Sequence, residues 1–92
     1  MEKEKLKKAG FTHRYKPTLK KIDQHCLGYS LLIKPGNSIL IDLIYLEHLN
    51  EWKIDYIRFE GKEALRLIKN NLNSYDLKSV VEFVEKFPNQ TF

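Results

Sequence analysis

Four residues of this chain carry atoms soft enough to ligate a transition metal: His13, His25, Cys26 and His48. Structural zinc sites usually draw paired ligands from positions a few residues apart, so that one tight turn brings both to the ion. No two of these four have that gap. His25 and Cys26 are adjacent, and on a strand they point to opposite faces. Asp23 can share a face with His25, but two ligands do not close a coordination sphere, so neither metal nor cofactor is expected. Nucleophilic catalysis would require Cys26 or a serine beside a positioned base. Cys26 stands among apolar neighbours, as a small buried hydrophobe does. The sequence has no phosphate-cradling glycine motif, nucleophile elbow or His-Glu-x-x-His helix. Asp42 and Asp55 can approach each other on neighbouring strands, and such a pair can drive hydrolysis or hold Mg²⁺. Without a third acidic group at useful spacing, no enzyme is expected.

Binding is the stronger expectation, in two forms. Residues 1–21 hold eight basic against two acidic side chains, whereas residues 22–92 hold eight against ten. The net charge of +4 therefore belongs to the N-terminal segment. Lys7, Lys8, Arg14, Lys16, Lys20 and Lys21 can contact phosphates, with Phe11, His13 and Tyr15 interleaved as stacking groups. Lys34, Lys53 and Arg58 can extend that surface over a sheet, making DNA or RNA the alternative partner. No helix-turn-helix, zinc-finger spacing, KH loop or RRM aromatic motif supports it. The leading expectation is a protein-interaction module, an inhibitor, adaptor or assembly subunit. Its anchor candidates by residue type are Tyr45, Trp52 and Tyr56, though Trp52 and Tyr56 equally suit an ordinary core.

The elements that must position these groups follow from periodicity. Cys26 to Lys34 reads as a strand with Leu27, Tyr29, Leu31 and Ile33 on one face. Pro35-Gly36-Asn37 reverses the chain, because proline fixes φ and glycine or asparagine accepts positive φ. Ile39 to Leu46 is apolar on both faces, as in a central strand, and only Asp42 departs from that pattern. On a third strand Trp52, Ile54 and Tyr56 share a face, with Lys53, Asp55 and Ile57 opposite. Past Gly61 the period changes from two to 3.6, giving a helix from about Lys62 to Leu72. A second helix is capped by Asn73, with Asp76 at its third position, and stops at Pro88. The fold class is α+β: a three-stranded antiparallel meander, four-stranded if Phe11 to Tyr15 adds an edge, with a C-terminal α-helical hairpin packed on one face. Residues 1–21 form a basic arm, partly helical or irregular, and residues 22–92 a single small domain.

Leu40, Ile44, Leu46 and Ile57 then form an apolar patch away from the helices. It suits a homodimer contact or another protein partner; the competing cover is the N-terminal segment folded back with Leu6, Phe11, Tyr15 and Leu19. With 42% apolar and 30% charged residues, the chain is expected to fold. The single cysteine excludes an intrachain disulfide and suits a reducing compartment. The start lacks the apolar region of a signal peptide. Ile39 to Leu46 is far short of the roughly 20 residues of a membrane span. A cytoplasmic protein with no membrane partner is expected.

Overall fold

The computed structural model describes residues 2–16 and 20–88, and for residues 15, 16, 21 and 23 the backbone alone. Its elements are α1 (Lys3–Ala9), β1 (Thr12–Lys16), β2 (Lys21–Lys34), β3 (Asn37–Leu46), β4 (Glu51–Glu60), α2 (Lys62–Asn71) and α3 (Leu77–Lys86). The four strands form one antiparallel sheet in the order β1-β2-β3-β4. This is the meander expected from the sequence, with the edge strand present. The hinge between β2 and β3 is Pro35-Gly36, where Gly36 at φ +83° occupies the position of a type II turn that favours glycine.

The helices lie on one side of the sheet. Leu27, Tyr29, Leu31, Ile39, Ile41, Leu43 and Trp52 supply the sheet side of the core, and Leu6, Ala64, Ile68, Leu72, Val80, Val81, Phe83 and Val84 the helical side. Complete burial of a side chain such as Leu27 or Leu43 is worth about 1.5–3 kcal/mol. The principal helix–helix contact joins α1 to α3, while α2 rests on β3 and β4. The basic N-terminal segment is thus built into the fold: Leu6 and Phe11 are buried at 0% and 1% exposure, on the helical side of the sheet. They do not cover the opposite face. The Tyr15 side chain and Leu19, the rest of that expected cover, lie outside the described residues.

Helix starts depend on partners near and far in sequence. Asp76, not Asn73, caps α3: its Oδ1 accepts from the Ser79 N–H at 2.8 Å, and the Ser74 hydroxyl donates to its Oδ2 at 2.8 Å. A carboxylate so placed satisfies an orphan N–H of the first turn, which starts the helix at Leu77 and leaves residues 72–76 as a connector. Those bonds, the Ser79 N–H foremost, hold the Asp76 carboxyl below its usual range. Helix α2 begins after Gly61, which has no side chain to offer. Asn37, from the β2–β3 hairpin, accepts the Glu63 N–H at 2.9 Å instead. At the far end of the helical layer the Tyr29 hydroxyl donates to the Phe87 carbonyl, and burial pushes that hydroxyl up to about 12. No helix among the described residues is long and apolar enough to cross a membrane.

Candidate functional site

Among the described residues no helix lies on the second face of the sheet, and its side chains are arranged differently from the core. The pairing of β3 with β4 places Leu40 beside Arg58, Asp42 beside Tyr56 and Ile44 beside Lys53. Asp42 is 3% exposed, the sole buried charged side chain among the described residues. Its Oδ2 pairs with the Arg14 guanidinium reaching over from β1, and the same guanidinium donates to the Tyr56 hydroxyl. Arg14 and Arg58 also lie near the Tyr56 ring, at 5.4 and 5.2 Å from its centroid. Gly28 sits between them in β2, opposite both Thr12 and Asp42. A Cβ at that position would stand 3.0 Å from Asp42 Oδ1, so a larger residue would require the carboxylate to shift by a few tenths of an ångström.

One acceptor of this cluster is unused. Asp42 Oδ1 has no hydrogen-bond donor among the described residues. It faces a notch of about 260 Å³ lined by Thr12, Arg14, Gly28, Ser30 and Leu40. Leaving such an atom unbonded costs about 1–3 kcal/mol, and Oδ1 is closed to solvent beneath the notch.

A bulge decides which predicted residues belong here. Asp42 pairs with Tyr56 but Leu43 with Ile54, so Asp55 is an extra residue on β4 and the alternation flips across it. Ile57, expected on the open face, therefore packs toward the core opposite Ile41, and Tyr56 takes the open face in its stead. Trp52 and Tyr56, expected together, lie on opposite sides. Trp52 is 6% exposed and Tyr45 half-buried; both pack with the core. Leu40 and Ile44 are on the open face and half-buried, as expected. Asp55 is exposed at its bulge, while Asp42 is committed to Arg14. Among the described residues no three histidine, cysteine or acidic side chains gather where they could hold a metal. Cys26 is buried and forms no disulfide.

The nucleic-acid candidates are scattered over both layers. Lys7 and Lys8 are exposed on α1, in the helical layer, whereas Arg14, Lys53 and Arg58 point the other way. Lys34 faces Glu63 at 3.9 Å and Lys53 pairs with Glu51 at 3.0 Å. Lys20 is exposed; the side chains of Tyr15, Lys16 and Lys21 lie outside the described residues. The sequence pointed to Asp42 as an anomaly, but not to its partners, because Arg14, Gly28 and Tyr56 converge only through strand register. Comparison with known proteins finds no matching family model, no matching curated protein and no matching solved structure.

Proposed function

We propose that the protein is an interaction module, an assembly subunit without catalytic activity, and that it docks through the open face of its sheet. The observation that supports this reading is a strand layer that the described residues cover on one side only. Its other side presents Leu32, Leu40, Ile44 and Leu46 around a buried ion pair. The occupant this face fits is a second copy of the chain. Its described charges are balanced, with Arg14, Lys53 and Arg58 against Asp42, Glu51 and Glu60, which suits self-complementary pairing about a two-fold axis. A nucleic acid or a strongly charged partner would select a face of one sign. The molecule spans 36 by 29 Å across its two longer dimensions. Four strands about 4.8 Å apart and about ten residues long give the open face itself roughly 600 Å², a small interface beside the roughly 800 Å² that each partner contributes to a standard one. Tyr56 and Arg58 are residue types that anchor such contacts. A cytoplasmic setting belongs to the same reading, since it keeps Cys26 reduced.

Light scattering coupled to size exclusion tests the proposal. The expected result is a dimer mass at micromolar concentration, reduced to a monomer by the Leu40→Glu/Ile44→Glu variant with its circular dichroism unchanged. A monomer mass for the unaltered chain at high micromolar concentration overturns the self-association. If that monomer instead binds generic RNA or DNA with a steep salt dependence, the phosphate-binding alternative replaces it.

A further inference from the structure

A different part of the molecule carries a cleft, independent of the open face. At one end of the sheet the covered side runs past the helices and is left partly bare. There, a cleft of about 640 Å³ is lined by Lys3 and Lys5 of α1, Gln24 and His25 of β2, Tyr45 of β3 and Trp52 of β4. Its volume falls in the range of about 300–1,000 Å³ typical of ligand pockets. We infer that this cleft binds a small planar aromatic anion, of the kind that a nucleoside monophosphate presents.

Three features support that chemistry. The first is a break in the strand ladder. His13 pairs with Leu27 but Arg14 with Asp23, so residues 24–26 bulge out of the pairing with β1. Bulges recur beside binding sites because they re-aim side chains. Here the bulge stands Gln24 and His25 next to the start of α1.

The second feature is an aromatic wall. The His25 and Tyr45 rings are nearly parallel, 21° apart with centroids 6.0 Å from each other, and Tyr45 meets Trp52 at 5.3 Å. The Tyr45 hydroxyl donates to Asn50 Oδ1, and Asn50 itself is held in the left-handed region at φ +52°. The wall is thus fixed before a ligand arrives, which lowers the cost of stacking a flat ring against it.

The third feature is charge. Lys3 and Lys5 stand at the lip against a single acidic lining residue, Glu2. Lys3 Nζ donates to Gln24 Oε1 at 3.4 Å, which holds its ammonium beside Gln24 in the lining. His25 engages Glu47 at 2.8 Å, and Glu47 is not part of the lining. A flat ring stacked on Tyr45 would therefore carry its anionic group toward the two lysines.

The chain's only tryptophan is in the wall, so its indole N–H is a unique reporter in nitrogen–proton correlation spectra. Titrating the full chain with AMP should shift Trp52, His25 and Asn50 along one saturable curve. Adenosine supplies the ring without the charge and inorganic phosphate the charge without the ring; each should bind at least about tenfold more weakly than AMP. Lys3→Ala/Lys5→Ala alters side chains outside the core, and should weaken AMP about three- to tenfold without moving the adenosine affinity. UMP and benzoate extend the test to other flat anions. The inference is overturned if none of the three anions shifts the cleft residues up to millimolar concentration. It is equally overturned if inorganic phosphate binds as well as AMP, or if the double lysine variant binds AMP like the parent. The dimer test reads the opposite face, so either reading can fail alone.

Discussion

Under the helices, Leu27, Tyr29, Ile41 and Leu43 are all at or below 1% exposure and touch apolar side chains from three helices. On the other side of the same strands, Asp42 is nearly as deeply buried, yet it is surrounded by Arg14, Gly28 and Tyr56. Burial by helices selects volume and apolarity; burial by neighbouring strand side chains selects geometry and charge. One strand, β3, serves both environments by strict alternation. The covered side specifies the fold, and the open side can vary without unmaking it.

The sharpest way to break this contrast is to empty the covered side. Leu43→Ala should cost about 2–5 kcal/mol in urea unfolding, because the rigid neighbours cannot collapse into the space. A loss below about 1 kcal/mol would mean that the two sides are not different in kind. Arg14→Met leaves the Asp42 carboxylate buried without its counter-charge. We expect a loss of about 2–3 kcal/mol, below the value for a fully buried pair because the Arg14 side chain is 34% exposed. Replacing both partners, Arg14→Met with Asp42→Leu, should bring stability back to within about 1 kcal/mol of the parent. If the double variant is as unstable as the single one, the pair is not what sets the open side apart.

Smaller effects sharpen the comparison. Tyr29 is on the covered side, and its hydroxyl titrates near 12 instead of 10. Between those values the folded chain keeps a proton that the unfolded chain has lost, so stability should be fully present below pH 10 and fall as pH rises toward 12. Tyr29→Phe loses about 1 kcal/mol at neutral pH from its bond to the Phe87 carbonyl, and its alkaline decline should be shallower than the parent's in guanidinium titrations. Leu40→Glu and Ile44→Glu, at half-buried positions, should each cost the monomer about 1 kcal/mol, while acting on the mass measured by light scattering.

The covered side was readable in the sequence because it obeys simple periods. The alternation from Leu27 to Leu31, the Pro35-Gly36 reversal and the helical spacing of Ala64, Ile68 and Leu72 all locate their elements, although Leu65, which the spacing also assigns to that face, stays outside the core. What failed to show was anything set by pairing across strands. Nothing local marks Asp55 as a bulge, so counting alternate residues from Trp52 puts Tyr56 and Ile57 on the wrong sides. Nor does local composition show that α1 docks, since Leu6 is one residue among lysines; its burial depends on a gap left beside α3. The cleft joins positions 3, 25, 45 and 52, which no spacing rule connects. The cap of α3 was placed three residues early because Asn73 and Asp76 are both good capping types, and the choice between them is made by Ser74 and Ser79.

The bond from the Glu63 N–H to Asn37 reaches across 26 residues to a hairpin turn. A helix that borrows its cap gains that stabilisation, about 0.5–2 kcal/mol, only where the hairpin is formed. A peptide spanning α2 alone lacks the group and should be less helical than the same segment in the fold. The hairpin turn and the helix start are thus coupled through one asparagine.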